Sequence, residues 1–457
     1  MRLLWPVPKP GRWPLLIGYG YLLGLTAIAL LLGLWGRLGS ELTVYPVLLV
    51  LGLMSLLAFH LFRSRATATV ARSEYGTAAQ RLSVGQRILL GAILLWLVLR
   101  IAGLALEVWW EPLFPWDAWT TWGLRARVWS ELRELVPFIA PSDWLADDSG
   151  RAQTIAAWRY PTTVSLIATW SVLAFGQWNE TAANLPWVGC ILALALGFYG
   201  QVRFWGAPAP TAIVFTWLLL SLPLLNSHVA LAGYADLWLA TTLGFAFMSF
   251  LHWSRDGDRR QGLLSVMLLA VSLSIKVEGL IWALLFLPAL LATKVRGRWL
   301  IATAALIGIL ALAVWMSGGI DFEIPFMGLA QLGPDRIELP YLGQFNLSAL
   351  QSWEPMLRHF LLYGNWHLLS YLLAIAVALS LFKLTLSRSE AWQRAGLTWV
   401  LTSLFAFFGL FAWTDAAAWA SDSTSINRVF LHFVPGLIFW LMTVWMSLQT
   451  RDEVPAS

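Results

Sequence analysis

Apolar stretches of about 20 residues recur along most of the chain, and a helix of that length can cross the hydrocarbon core of a membrane. Charged residues make up only 12% of the 457 residues, which excludes a pair of soluble domains. The sequence therefore predicts an all-α, polytopic transmembrane helical bundle of about twelve spans. The predicted spans are residues 14–34, 42–62, 87–108, 184–204, 210–228, 236–252, 262–275, 279–293, 299–317, 360–382, 396–413 and 429–448.

Loop charge gives the predicted orientation. Arg and Lys collect in the loops at 63–87, 253–261, 294–298 and 383–394, which therefore face the cytoplasm together with both chain ends. The same bias explains the net charge of +5 without a nucleic-acid partner. The long polar loop 109–183 then lies outside. Three parts are predicted: 1–86 with two spans, a transmembrane module at 87–448, and a tail at 449–457.

Two segments of the outer loop stand apart from the predicted spans. Residues 160–176 are apolar but too short to cross, so they are expected to dip into the outer leaflet or to lie against the bundle. Residues 115–129, PWDAWTTWGLRARVW, have Trp119, Trp122, Ala126 and Trp129 at helical spacing. The aromatic face and the charged opposite face predict an interfacial helix that lies along the membrane surface.

Acidic and basic residues on the predicted outer side are candidates for chemistry, and each also has a structural interpretation. Asp117 begins the interfacial helix, where it could be reactive or simply an N-cap. Asp236 follows Tyr234 at the mouth of a span, where an acid is costly unless it faces water or a partner. Lys276 and Glu278 break an apolar stretch, so they line a polar cavity or form an internal ion pair.

The remaining candidates are arginines that could hold a phosphate or anchor to lipid headgroups. Arg159 and Tyr160 begin the short apolar segment, Arg125 lies on the interfacial helix, and Arg428 precedes the last span. The six histidines lack ligand spacing, and the single cysteine, Cys190, excludes a disulfide framework. There is no P-loop, GxSxG or dinucleotide fingerprint, so ATP- or NAD-driven chemistry is unsupported.

The order of these elements over residues 87–448 resembles the GT-C superfamily of polytopic glycosyltransferases, which includes protein mannosyltransferases and the aminoarabinose and Rgt-type transferases. The matching elements are an acid in the first outer loop, a basic-plus-Pro element, a second acid at a span, a broken helix and an Asn-Arg before a late span. In this chain they are Pro115-Trp116-Asp117, Arg159-Tyr160-Pro161, Asp236, Lys276-Val277-Glu278-Gly279, and Asn427-Arg428 with Pro435.

The resemblance implies transfer of a sugar from a polyprenyl-phosphate donor to an envelope glycan, lipid or protein, on the periplasmic face of a bacterial inner membrane. Asp117 would be the general base and Asp236 its helper. The substrate and its phosphate would be bound by Arg125, Arg159, Tyr160, Lys276 and Arg428, with Glu278 pairing with Lys276 to aim it, and the sugar would stack on Trp116, Trp119 and Tyr234. Membrane lipids are the other expected partners. The sequence leaves the need for a divalent cation and the oligomeric state open.

Two other classes of protein fit the same sequence. A secondary transporter would also have about twelve spans and broken helices, although transporter sites lie near the midplane. A non-catalytic membrane subunit of an envelope-glycan pathway would need neither Asp117 nor Asp236 for its role.

Overall fold

The computed structural model describes residues 4–5, 9–63, 82–110, 115–295, 298–324, 328–340, 343–347, 353–385 and 389–449. The fold is mostly helical, with 75% of residues in helices. The chain divides into two compact units, Met1–Leu220 with Asn226–Trp238, and Ser221–Leu225 with Leu239–Ser457. Most of the predicted basic loop 63–87 and of the tail 449–457 lies outside the described residues.

The first unit contains long helices at its N-terminal end and a group of short elements in the predicted outer loop. Its helices are α1 (Arg12–Arg37), α2 (Val44–Arg63), α3 (Val84–Trp110), α4 (Gly123–Leu132), α5 (Pro141–Leu145), α6 (Thr163–Phe175), α7 (Glu180–Trp205) and α8 (Ala209–Leu220). A π-helical turn, Ala118–Trp122, precedes α4, and strands β1 (Phe138–Ile139) and β2 (Gln153–Thr154) form a short parallel pair. Helix α9 (Pro223–Ala230) belongs to both units.

Helices α1 and α7 pack closely because glycines on both helices remove side chains from the contact. A Cβ atom on Gly18 would lie 2.5 Å from the Ala193 carbonyl oxygen, and one on Gly200 would lie 2.7 Å from Leu15. The predicted N-terminal part, residues 1–86, therefore shares a core with residues after 87 in this unit.

The second unit begins with α10 (Asp236–Asp256), whose first residues belong to the first unit. Its other helices are α11 (Arg259–Ile275), α12 (Glu278–Leu284), α13 (Phe286–Lys294), α14 (Arg298–Met316), α15 (Trp353–Leu357), α16 (Leu369–Thr385), α17 (Ala391–Trp413), α18 (Ala417–Ser421), α19 (Ile426–Leu431) and α20 (Val434–Gln449), with a π-helical turn at Arg358–Leu362. Its core contains a stacked pair, Phe247 and Trp399, with ring centroids 3.9 Å apart.

The predicted count of about twelve spans is not confirmed. Six described helices are long and apolar enough to cross a membrane: α1, α2, α3, α7, α14 and α17. Helices α8 and α9 would make a seventh if they form one span, although they are bent by 64°. The other predicted spans coincide with helices that are shorter, interrupted or less apolar. Apolar residues in such helices pack inside the protein, as those of α10 do, and hydropathy alone does not separate them from lipid-facing residues.

The expectation of an all-α fold misses two small sheets. Besides the β1–β2 pair, the second unit has a four-stranded antiparallel sheet between α14 and α15. Its strands are β3 (Ile320–Ile324), β4 (Gly328–Leu332), β5 (Arg336–Leu339) and β6 (Gly343–Asn346), in that order across the sheet. Period-two alternation of apolar and polar residues over such short strands is a weak signal beside long apolar helices.

Most of the aromatic face of the outer-loop helix is buried, in contrast to the predicted surface helix, whereas Trp119 on that face is 45% exposed. Trp122, Ala126 and Trp129 are at most 4% exposed, and α4 packs against α6. Helix α6 occupies the short apolar segment and also packs against α1 and α7, which confirms that this segment lies against the bundle. Aromatic side chains pack equally well against lipid and against protein, so the sequence pattern did not distinguish the two environments.

Candidate functional site

Asp117 is half-buried and directly precedes the π-helical turn. The Gly123 N–H donates to the Ala118 carbonyl five residues earlier, which widens the turn. Asp117 itself has helical backbone angles, and its side chain makes no capping hydrogen bond. The N-cap interpretation of this acid is therefore not supported. π-Helical turns are rare and often occur at functional sites.

An aromatic cluster lies one turn after Asp117. The Trp122 ring is 5.7 Å from that of Tyr160 and 6.4 Å from that of Tyr234, measured between centroids. The Trp187 indole N–H donates to the Tyr234 carbonyl at 2.8 Å and fixes the backbone there. Asp236, which is fully buried, follows two residues later as the first residue of α10. The structure thus brings Tyr160 and Tyr234 together around a tryptophan that the sequence analysis placed only on a helix face.

Arg125 holds the turn that carries Tyr160. Its guanidinium donates to the carbonyls of Tyr160 at 2.8 Å, Ala157 at 3.3 Å and Trp158. The side chain is 1% exposed, and this burial lowers the pKa of Arg125 to about 10. The geometry gives Arg125 a structural role, and the phosphate contact predicted from the sequence stays a prediction.

Three other predicted residues of the first unit lie at the surface. Trp116 is 67% exposed and Trp119 is 45% exposed, and their rings meet edge to face at 5.0 Å. Arg159 is exposed, and its guanidinium lies 4.8 Å from the centre of the Trp158 ring. Arg159 is thus an accessible cation next to Tyr160, and the two tryptophans offer an open aromatic surface beside Asp117.

In the second unit, Lys276 and Glu278 form the internal ion pair that the sequence analysis considered. The Lys276 Nζ lies 2.9 Å from the Glu278 Oε1, and their side chains are 6% and 18% exposed. Lys276 ends α11 in extended conformation, and Glu278 begins α12. Gly279 is required here, since a Cβ atom would lie 2.2 Å from the Ser272 carbonyl oxygen.

One histidine of the second unit, His359, lies in a buried polar cluster that the spacing of the histidines in the sequence does not predict. His359 lies in the π-helical turn before α16 and is 4% exposed. The Trp366 indole N–H donates to the Asn427 Oδ1 at 3.1 Å, so the Asn427 amide nitrogen faces the His359 Nδ1, 2.9 Å away. The proton of the ring therefore belongs on Nε2, which lies 3.1 Å from the Ser423 hydroxyl.

This geometry keeps His359 neutral. Burial lowers the pKa of His359 below its ordinary value of 6.5, and a backbone hydrogen bond with Ala420 opposes the shift only in part. With Nδ1 as an acceptor, the ring cannot take a proton from Ser423 through Nε2. The cluster therefore orders the start of α19, where the half-buried Arg428 follows Asn427. The signal in the sequence was the polar Asn-Arg pair beside an apolar span, rather than histidine spacing.

Within the described part of the chain, no group of three or more His, Cys, Asp or Glu side chains could hold a metal ion. Comparison of this chain with protein-family models, curated proteins and solved structures found no match.

Proposed function

We propose that this chain is an integral membrane glycosyltransferase, which transfers a sugar from a polyprenyl-phosphate-linked donor to an acceptor of the cell envelope at the outer face of the membrane. The observation that supports this proposal best is the position of Asp117. It is a half-buried acid with no capping role, next to a π-helical turn whose Trp122 contacts Tyr160 and Tyr234. Acids beside aromatic rings are a common arrangement for binding and activating sugars, because the rings cover the apolar face of the pyranose.

The proposed reaction needs a base and a cation. Asp117 accepts the proton of the acceptor hydroxyl. The oxygen of that hydroxyl then forms the new bond to the anomeric carbon of the donor sugar. The bond from that carbon to the phosphate oxygen breaks, and the polyprenyl phosphate leaves with the electron pair. Arg159 is the exposed cation next to Tyr160 and would bind this phosphate. Asp236, buried at the start of α10, would orient the acceptor from beside Tyr234.

A secondary transporter is the second candidate, and broken helices favour it. Helices α8 and α9 meet at 64°, and α11 gives way to α12 at the Lys276–Glu278 pair. Interrupted helices line substrate pathways in transporters.

We expect the purified protein to carry a polyprenyl phosphate that mass spectrometry of the extracted lipid identifies. Vesicles that contain the protein and a labelled polyprenyl-phosphate sugar should form labelled acceptor from a membrane extract. Vesicles without the protein are the control. Uptake of a labelled solute with no covalent transfer would instead establish the transporter, and binding of the lipid with neither transfer nor uptake would support a non-catalytic subunit.

The Lys276–Glu278 pair allows a test of the predicted phosphate role of Lys276 that separates binding from folding. Lys276→Ala leaves the largely buried Glu278 carboxylate without its cation, and we expect a loss of about 3 kcal/mol of stability. The double variant Lys276→Met with Glu278→Gln should recover most of that stability, since neither group is then charged. Thermal melting in detergent measures this recovery.

Binding of a labelled polyprenyl phosphate to the same variants then tests the role. If Lys276 holds the phosphate, the stable double variant should still bind it at least tenfold more weakly than the original protein. Full binding by the double variant would leave the pair with a structural role alone.

A further inference from the structure

The four-stranded sheet of the second unit has one apolar face and one polar face. The register pairs Ile320 with Leu332 and Phe322 with Ala330, so these side chains lie on the same side of the sheet. The register of the next two strand pairs extends this face across the sheet to Ile337, Leu339 and Phe345.

The opposite face is largely exposed, and its side chains are polar except for that of Leu329. Its charged residues are Asp321, Glu323, Arg336 and Glu338, so it is acidic overall. Cross-strand hydrogen bonds join these side chains: the Gln331 amide donates to Asp321, and Arg336 donates to the Gln331 oxygen at 2.8 Å. A hydrogen-bonded acidic face of this kind belongs in water.

The apolar face is covered near β6 and at Ala330, which is fully buried, and its larger side chains toward β3 are open. Near β6, the Phe345 ring meets the Trp419 ring at 6.3 Å. Toward β3, Ile320 is 47% exposed, Phe322 is 40% exposed and Leu332 is 37% exposed. Three large apolar side chains on one side of a small sheet are an interaction surface rather than a core.

The chain directly before the sheet indicates what covers this surface. Helix α14 is long and apolar enough to cross a membrane, and none of its residues between Trp299 and Met316 is buried in the protein. Such a helix, apolar on all sides, is typical of a span surrounded by lipid. Only Ser317, Gly318 and Gly319 separate Met316 from the first residue of β3.

The two glycines turn the chain sharply from helix to strand. Both have positive φ values, 94° at Gly318 and 101° at Gly319, and the Gly319 N–H donates back to the Val314 carbonyl at 2.9 Å. A Cβ atom at Gly319 would lie 2.4 Å from the Leu332 carbonyl oxygen, so β4 packs against the end of the turn. The sheet therefore starts at the end of the span, without a spacer that would carry it away from the lipid.

Exposed tryptophans surround this part of the chain. Trp315 is the penultimate residue of α14 and Trp353 begins α15. Trp413 and Trp419 lie before and after Thr414, which pairs with Leu347 after β6. All four are between 43% and 59% exposed. Tryptophan is enriched where the hydrocarbon core meets the headgroups, because its ring is apolar and its N–H is polar.

We propose that the open apolar face of this sheet, Ile320, Phe322 and Leu332, inserts into the interfacial layer of the bilayer beside the end of α14, and that the acidic face stays in water. The occupant of the surface is thus the lipid of the membrane that α14 spans. The sheet would fix the depth and tilt of α14. This inference does not depend on the proposed transferase activity.

The single cysteine makes the proposal testable with spin labels. Cys190 is the single cysteine of the chain and is buried. A Cys190→Ala background therefore has no thiol that competes with the introduced one for the label. The apolar face is labelled through Ile320→Cys, Phe322→Cys or Leu332→Cys, one at a time. The polar face is labelled at matched positions of the same strands through Asp321→Cys, Glu323→Cys or Gln331→Cys. The full chain is reconstituted in phosphatidylcholine vesicles, and collisions of each label with oxygen and with a water-soluble nickel chelate are measured.

We expect the ratio of oxygen to nickel accessibility to be several-fold higher at each apolar-face position than at its polar-face neighbour. The ratio should alternate along β3 with a period of two residues. High nickel access on both faces would overturn the proposal, because the surface would then lie in water. Low access to both reagents at 320, 322 and 332 would also overturn it, because a protein surface would then cover the face. Three positions on each face, with melting temperatures checked in detergent, keep the test decisive if one variant fails to fold.

Discussion

Replacement of Asp117 with asparagine is expected to lower the rate of sugar transfer by about 10²- to 10⁴-fold, the range that a positioned general base contributes. Asparagine keeps the size and the hydrogen-bonding oxygen of the side chain but cannot accept the proton of the acceptor hydroxyl. Because asparagine has nearly the same shape as aspartate, the exchange should change the melting temperature of the purified protein far less than the rate. Transfer from a labelled polyprenyl-phosphate sugar measures the loss.

Asp148→Asn is the matched control, since Asp148 is an exposed carboxylate of the same outer loop. It should retain the original rate. Donor binding should persist in Asp117→Asn, because the proposal assigns the phosphate to cations and not to this acid. Full activity of Asp117→Asn would remove the residue from the mechanism, and equal losses in the two variants would indicate a general effect of charge in the loop.

The region around Asp117 separates what the sequence can predict from what it cannot. Helical spacing of Trp119, Trp122 and Trp129 predicted the helix, and the structure has helices at those residues. The pattern did not reveal what the aromatic face contacts, because indole rings pack well against lipid and against α6 alike. Nor did it reveal the π-helical turn, whose extra residue depends on local packing rather than on residue type.

The predicted roles of the arginines show a similar limit. Arg125 and Arg159 are equivalent in the sequence, as basic residues of one outer loop. In the structure, Arg125 is buried against backbone carbonyls and Arg159 is exposed. The difference arises from the turn at 157–160, which is distant in sequence from Arg125 and supplies three carbonyls that need a donor. Only tertiary contacts can distinguish a cation that supports the backbone from one that can bind a ligand.

The sheet shows where long-range pairing matters most. Each strand of residues 320–346 is short, and the alternation of Ile320, Phe322 and Ile324 spans only one strand. The pattern becomes clear only when the register joins β3 to β4 and β5, because the apolar residues of three strands then share one face. Long apolar helices, by contrast, carry their signal within a single segment, so the positions of α1, α7 and α17 were predictable.

Arg125→Ala is expected to destabilise the first unit strongly. It removes the guanidinium that donates hydrogen bonds to the carbonyls of Ala157, Trp158 and Tyr160, and these carbonyls lose that donor. Hydrogen bonds from a charged donor contribute about 1.5–3 kcal/mol each, and their losses overlap, so we expect a cost of about 4 kcal/mol. Arg125→Lys should recover only part of it, because one ammonium group cannot replace the planar fork that meets three carbonyls. Thermal melting in detergent measures both variants.

Arg127→Ala is the matched control on the same helix. Arg127 is 55% exposed and pairs with Glu131 at 2.9 Å on the surface, so its loss should cost less than about 0.5 kcal/mol.

A further consequence distinguishes the structural role of Arg125 from the phosphate role predicted from the sequence. Loosening of the 157–160 turn displaces Tyr160 from Trp122, so donor binding and stability should fall together and recover together in Arg125→Lys. An Arg125→Ala variant that melts like the original protein but no longer binds polyprenyl phosphate would instead identify Arg125 as a ligand contact.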